Sequence, residues 1–110
     1  MYYRGASAAI VVYDISNRSS FDTMKRWIDE LKVRAPQNIV LALAGNKCDL
    51  ADKRCVTEHD ITEYVASVRE VDGLDPIFGE CSAKTGEGIQ EIFTQVCMRL
   101  IKMAESEGAN

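Results

Sequence analysis

Three short apolar runs alternate with longer amphipathic segments, and this alternation constrains the fold of the 110-residue chain more than any other feature. The runs extend over Ala8–Asp14, Asn38–Gly45 and Pro76–Cys81. The first is almost continuously apolar, which is typical of a strand covered on both faces of a parallel sheet. Successive parallel strands need a crossover, which is usually a helix. The sequence therefore predicts an α/β fold of three layers, a three-stranded parallel sheet with flanking helices.

The segments between the runs carry apolar side chains at helical spacing. We expect Ser20 to cap the first helix, and the helix to continue to about Arg34. Thr57 and Asp60 resemble a capping box at the start of the second helix, with Asp in place of the usual Glu, and Gly73 marks its end. These two helices are expected to cover one face of the sheet.

A longer amphipathic helix is predicted after the last strand. Its apolar stripe consists of Ile89, Ile92, Phe93, Val96, Leu100 and Met103. Cys97 is assigned to the same stripe and is expected in the core. We assign residues 1–104 to one domain and expect residues 105–110 to be a disordered tail.

Polar residues follow the second and third apolar runs, at the strand ends where open α/β sheets bind ligands. The second run leads into Asn46-Lys47-Cys48-Asp49, and the third leads into Ser82-Ala83-Lys84. Taken alone, the first set is also compatible with an ordinary polar turn, because Asn and Asp favour turns. N-K-x-D followed by S-A-K, each after a strand, resembles the guanine-recognition half of a Ras-like small GTPase.

This resemblance implies that Asp49 reads the base. Its carboxylate would accept hydrogen bonds from the ring N1–H and the 2-amino group of guanine, whereas the lone pair on N1 of adenine would be repelled. A bidentate contact of this kind discriminates between bases by roughly 1–3 kcal/mol. Ser82 would orient the Asp49 carboxylate.

The resemblance also assigns roles to the other residues of the two sets. Asn46 would bond the other edge of guanine and tie neighbouring loops together. Lys47 and Lys84 have long apolar stems, which would cover the two faces of the base while the ammonium groups stay in water. The backbone N–H of Ala83 would donate to guanine O6.

Residues 1–103 together are similar to the Rab branch of the small GTPases, and most similar to its early-endosomal subgroup. The segments that carry this likeness are Met1–Ala6 and Ala9–Asp14, with the run that ends in Asn46–Asp49. In that family the last helix packs on the opposite face of the sheet from the other two. Tyr2 matches an aromatic residue that many Rab proteins use against effectors, although a packed core tyrosine explains it equally well.

The phosphate-binding elements of that family do not occur in these 110 residues. The sequence contains neither G-x-x-x-x-G-K-[ST] nor D-x-x-G, and it lacks the first switch threonine. We therefore assign no catalytic residue and no Mg²⁺ ligand here, and expect GTP or GDP, with Mg²⁺, to be bound fully by the complete family domain. Met1 falls where methionine is common inside the family, which is compatible with a start inside a longer protein or with a truncated gene.

Three functions remain open on the sequence. The first is a GTPase switch in vesicle and endosomal traffic, with effectors and exchange or activating factors as its partners. The second is a non-hydrolysing, GTPase-like module that keeps only protein contacts. The third is an unrelated flavodoxin-like binding domain, which requires the two polar sets to be coincidental.

Charge and composition restrict the partners further. A net charge of −4 argues against a nucleic-acid interface, which needs clustered Lys and Arg. The four cysteines lack the paired spacing of metal sites, and no run is long enough to span a bilayer. The sequence ends without the terminal cysteines that are prenylated in Rab proteins. We expect a cytoplasmic chain without a membrane anchor, located at the endosomal surface only as part of a prenylated, full-length protein.

Overall fold

The computed structural model describes residues 8–34 and 39–108, which form a three-stranded sheet with three α-helices. In chain order the elements are β1 (Ala8–Asp14), α1 (Arg18–Arg34), β2 (Val40–Asn46), a short 3₁₀ segment (Cys48–Lys53), α2 (Glu58–Asp72), β3 (Ile77–Glu80) and α3 (Ile89–Gly108). All the paired strands are parallel, in the order β1-β2-β3. The predicted α/β fold is therefore confirmed.

The register of the strands aligns their carboxyl ends at one edge of the sheet. Asp14 pairs with Asn46 at the end of β1 and β2, and Gly45 pairs with Glu80 at the end of β3. The backbone N–H of Ile15 donates to the carbonyl of Asn46 at 3.1 Å and extends the pairing beyond β1. The residues that follow the three strands are therefore held close together.

Helices α1 and α2 cover one face of the sheet, as predicted. Their side chains join those of β1 and β2 in one buried cluster, which contains Tyr13, Ile15, Phe21, Met24, Ile28, Leu31, Leu41, Leu43, Val56, Ile61 and Val65. Burial of this apolar surface is the main source of stability for the layer.

Helix α3 packs on the opposite face. Its cluster contains Val40, Ala42, Ala44, Ile77, Cys81, Ile92 and Val96. Two of the stripe assignments are wrong, because Phe93 is 52% exposed and Cys97 is exposed as well. Each residue of an α-helix is rotated by about 100° from the one before it, so that Phe93 and Cys97 point away from the sheet when Ile92 and Val96 point toward it.

The predicted capping box of α2 is confirmed. The Asp60 N–H donates to the Thr57 hydroxyl at 3.1 Å, and the Thr57 N–H donates to the Asp60 carboxylate at 2.9 Å. Gly73 ends the helix in the left-handed conformation at φ 69°, a conformation in which glycine has no steric penalty. Both ends of this helix therefore follow from local sequence.

Helix α1 begins before the predicted cap. The carboxamide oxygen of Asn17 accepts the Ser19 N–H at 3.0 Å, so Asn17 takes the capping position that was predicted for Ser20. The Ser20 hydroxyl instead accepts the N–H of Asp14 at 2.8 Å and bonds its carbonyl at 3.1 Å. Ser20 thus joins the start of the helix to the end of β1.

Helix α3 also extends further than predicted, to Gly108, so the first four residues of the expected disordered tail are helical. Ala104 and Glu105 favour helices, and no glycine or proline interrupts the segment before Gly108. Residues 109–110 lie outside the described residues.

Within the described residues β1 is an edge strand, and two of its apolar side chains remain accessible to solvent. Ile10 is 37% exposed and Val12 is 58% exposed. We expect the 110-residue chain to associate and to have low stability, because an uncharged strand edge is a template for pairing with another chain. Val12→Lys should reduce this association in sedimentation velocity experiments.

Val33→Lys is the matched control for this prediction. Val33 is 83% exposed on α1, away from the strand edge, and its replacement should change stability by no more than about 0.5 kcal/mol and leave association unchanged. A parent chain that sediments as a single monomer and melts sharply at high temperature would contradict the prediction.

Candidate functional site

The loops that follow β2 and β3 meet at the carboxyl edge of the sheet. The Cys81 N–H donates to the Gly45 carbonyl at 2.8 Å, which continues the strand pairing up to the second loop. From there, two side-chain contacts join the loops, one through Asp49 and one through Asn46. The structure thus brings together the two polar sets that the sequence singles out.

The carboxylate of Asp49 is oriented by a buried hydroxyl. Ser82 is 1% exposed and donates from its Oγ to Asp49 Oδ1 at 2.6 Å. The Thr85 N–H donates to the same Oγ at 3.2 Å, which fixes the direction of the hydroxyl. Asp49 is exposed, and no second partner binds its carboxylate among the described residues. The predicted Ser82–Asp49 contact is therefore present, and one carboxylate oxygen remains accessible to donors.

Asn46 ties the loops together, as expected. Its side-chain Oδ1 accepts the backbone N–H of Ala83 at 3.0 Å. The same N–H was expected to donate to guanine O6, but here it is occupied by Asn46. The strand register accounts for this contact, because Asn46 ends β2 beside the strand that leads to Ala83.

Lys47 has a special backbone conformation and an ion pair that sequence reasoning missed. Its φ is 70°, in the left-handed region that non-glycine residues rarely adopt. Its ammonium Nζ lies 2.7 Å from Asp14 Oδ2. The position of Asp14 at the end of the first apolar run was the available signal, because parallel strand ends meet at one edge.

Asp14 is itself held in place by Ser16. The N–H and the hydroxyl of Ser16 donate to Asp14 Oδ1 at 2.8 Å and 2.6 Å. The hydrogen bond from Lys47, followed by that from the Ser16 hydroxyl, lowers the pKa of Asp14 from its ordinary value to about 2. The Asp14 carboxyl is therefore ionised at neutral pH.

A second ion pair connects the chain after Asp49 to the chain before Ser82. The Arg54 guanidinium bonds both carboxylate oxygens of Glu80, at 2.5 Å and 2.6 Å, and donates to the Val56 carbonyl at 2.9 Å. Paired hydrogen bonds of this geometry fix orientation as well as distance. The Arg54–Glu80 pair therefore helps to set the separation of the two loops.

The segment after Ser82 folds back on itself through two glycines. The Gly86 N–H donates to the Ser82 carbonyl at 2.7 Å, and the Ser82 N–H donates to the Glu87 carbonyl at 2.9 Å. Gly88 has a φ of 77°, and a Cβ at this position would lie 2.1 Å from the Glu80 carbonyl oxygen. Gly88 is thus required by the close passage of this loop against β3.

The structure describes only some of the remaining residues that were predicted for the site. Lys84 is exposed in the loop that follows Ser82, and no described contact holds its side chain. Tyr2 lies outside the described residues. Helices that are both long and apolar enough to cross a membrane do not occur in the described ranges.

Comparisons with known proteins agree with the residue pattern. The model of the Ras family matches residues 1–102. Human Ras-related protein Rab-22A is 47% identical over 100 residues, which are 91% of this chain and 48% of that protein. Mouse Ras-related protein Rab-31 is 44% identical over 110 residues, 100% of this chain and 53% of that protein. Arabidopsis thaliana RABF2b is 45% identical over 107 residues, 97% of this chain and 50% of that protein. The chain thus spans about half the length of these relatives.

Proposed function

Because the chain belongs to the Ras family, we propose that residues 46–49 and 82–84 form the guanine-binding part of a GTP/GDP site. One observation carries this proposal, namely that the buried Ser82 hydroxyl holds Asp49 Oδ1 at 2.6 Å. A carboxylate fixed through one oxygen cannot rotate freely, so it is prepared to accept two donors that lie side by side. Guanine carries such donors at N1 and at the 2-amino group.

The same geometry explains the selection against adenine. Adenine has a lone pair at N1, which would face the Asp49 carboxylate and be repelled. Asn46 reaches the other edge of the base, and the Ala83 N–H donates to guanine O6 when the Asn46 amide turns toward the base. The apolar stems of Lys47 and Lys84 cover the two ring faces. Each of these roles uses an atom at the carboxyl edge of the sheet.

For the whole protein we propose a Rab-type switch in vesicle and endosomal traffic. Its likeness to the Rab proteins named above supports this proposal, as does the match of residues 1–102 to the Ras family. In that protein, a phosphate-binding segment with Mg²⁺ would complete the site and supply hydrolysis. Effectors and exchange or activating factors would be its partners, at the endosomal membrane surface.

A titration with GDP and with ADP tests the base assignment directly. In amide NMR spectra of the ¹⁵N-labelled chain, we expect GDP to shift the signals of residues 46–49 and 82–84, and ADP to shift them much less. Asp49→Ala should remove the difference. Asp52→Ala is the matched control, because Asp52 is another exposed carboxylate of the same 3₁₀ segment.

Equal effects of the two nucleotides at these residues would refute the proposal. A fusion of residues 1–110 behind the amino-terminal half of human Rab-22A provides a second measurement, with the phosphate-binding segment restored. In this fusion, GDP should compete with a fluorescent guanine nucleotide far better than ADP does. A fusion that folds but does not prefer GDP to ADP would also refute the proposal.

A further inference from the structure

We propose that Asp14 is a positioning residue of the guanine site, which holds the ammonium group of Lys47 so that the lysine stem lies across one face of the base. This inference rests on the proposed function, since it assigns a purpose to an ion pair at the edge of that site. Asp14 lies outside both polar sets, at the end of a different strand. It would touch the lysine and not the nucleotide.

The strand register places Asp14 where it can do this. Asp14 pairs with Asn46 in the parallel sheet. The next residue, Lys47, therefore follows β2 beside the end of β1 that carries Asp14. The left-handed backbone of Lys47 turns the chain at this point. Its ammonium then lies 2.7 Å from Asp14 Oδ2. The two ends of the lysine side chain are therefore both fixed.

The carboxylate is held as firmly as the lysine that it binds. Two donors of Ser16 occupy Oδ1, at 2.8 Å and 2.6 Å, and leave Oδ2 for Lys47. The side chain of Asp14 is 23% exposed and that of Lys47 is 48% exposed. The Asp14 carboxylate is therefore less exposed than the carboxylate of Asp29 in the Lys32–Asp29 pair on α1, which is 71% exposed.

A fixed ammonium changes what the lysine stem can do. A free lysine side chain samples many rotamers. A base that packs against its stem would restrict these rotamers, and the lost conformational entropy would lower the binding affinity. When Asp14 holds the ammonium, most of that restriction exists before the base arrives. Loss of the carboxylate should therefore weaken GDP binding by about tenfold, and only when Lys47 is present.

A double-mutant cycle in the 110-residue chain tests this coupling. The proteins are the parent, Asp14→Asn, Lys47→Met and the double variant, because Asn keeps an oxygen for Ser16 and Met keeps an apolar stem. We expect Asp14→Asn to weaken GDP binding in the parent and to have no further effect beside Lys47→Met. Asp29→Asn, which removes one of the two carboxylates that pair with Lys32, should leave GDP affinity unchanged.

A measurement without ligand separates this proposal from the function on which it rests. NMR titration of the Asp14 carboxyl should give a pKa of about 2 in the parent and a clearly higher pKa in Lys47→Met. The Nζ signal of Lys47 should be observable in the parent and lost in Asp14→Asn. An unchanged carboxyl pKa in Lys47→Met would overturn the proposal, because the pair would then not exist in solution.

The binding measurements also separate the positioning role of Asp14 from the guanine site itself. Equal losses from Asp14→Asn with and without Lys47, or tighter GDP binding by Asp14→Asn, would overturn the positioning role while leaving the guanine site in place. If the parent does not prefer GDP to ADP, the guanine site itself is wrong, and the positioning role falls with it. The same four proteins, prepared as Rab-22A fusions, provide a second measurement of the coupling at higher GDP affinity.

Discussion

Asp49→Asn should change the base preference of the site from guanine to xanthine. Guanine presents a 2-amino donor, whereas xanthine presents a 2-oxo acceptor at the same position. The substitution replaces one carboxylate oxygen by an NH₂ donor, so it reverses the match with both bases. The loss for guanine should be roughly 1–3 kcal/mol, the usual value for a good bidentate contact, and more if a buried polar group is left unpaired.

The contact with Ser82 decides which end of the new amide faces the base. The Ser82 hydroxyl accepts the Thr85 N–H and donates its own hydrogen to Asp49 Oδ1. An asparagine at position 49 can keep this contact only through its oxygen, because its NH₂ group cannot accept a hydrogen bond. The NH₂ group is then turned to the side where the base would bind.

Competition binding with GDP and XDP measures this change, in the Rab-22A fusion for high affinity. Asp52→Asn is the control, and it should retain the preference of the parent. Ser82→Ala should weaken GDP binding without creating a preference for XDP, because it frees the carboxylate but leaves its charge. If Asp49→Asn folds and still prefers GDP as strongly as the parent, Asp49 does not read the base.

Sequence patterns predicted the features that depend on neighbouring residues. The apolar run Ala8–Asp14 gave the bounds of β1, but the coverage on both faces that its continuous apolar pattern predicted is incomplete, because Ile10 and Val12 remain exposed. Thr57 and Asp60 predicted the start of α2, because a capping box spans only four residues. The Ser82–Asp49 contact was also foreseen, although it was inferred from the resemblance to the small GTPases.

Features that depend on three-dimensional position were missed or misplaced. The Arg54–Glu80 pair joins residues that are 26 positions apart, and no local pattern indicates it. Cys97 was assigned to the core as part of the apolar stripe of α3, but the helix rotation turns it into solvent. Asn17 and Ser20 are both acceptable caps by residue type, but Asn17 caps α1 while the Ser20 hydroxyl bonds the backbone of Asp14.

Gly88 illustrates the same limit, since its sequence context predicts only a short turn. We expect Gly88→Ala to destabilise the chain by roughly 3 kcal/mol or more, which is near the upper end for a single substitution. An alanine at φ 77° carries the strain of the left-handed conformation, and its Cβ would collide with the Glu80 carbonyl oxygen at 2.1 Å. The backbone of β3 cannot move aside without breaking its pairing with β2.

Gly86→Ala separates the collision from the strain. Gly86 has a φ of 83° in the same loop, but a Cβ there would have no atom within 4 Å, so its replacement should cost only about 1–2 kcal/mol. Urea unfolding of both variants measures the difference in the free energy of unfolding. Gly88→Ala should also weaken the preference for GDP, because the loop that begins at Ser82 would be displaced from Asp49. Equal destabilisation by the two substitutions would mean that the loop does not pass against β3 in solution.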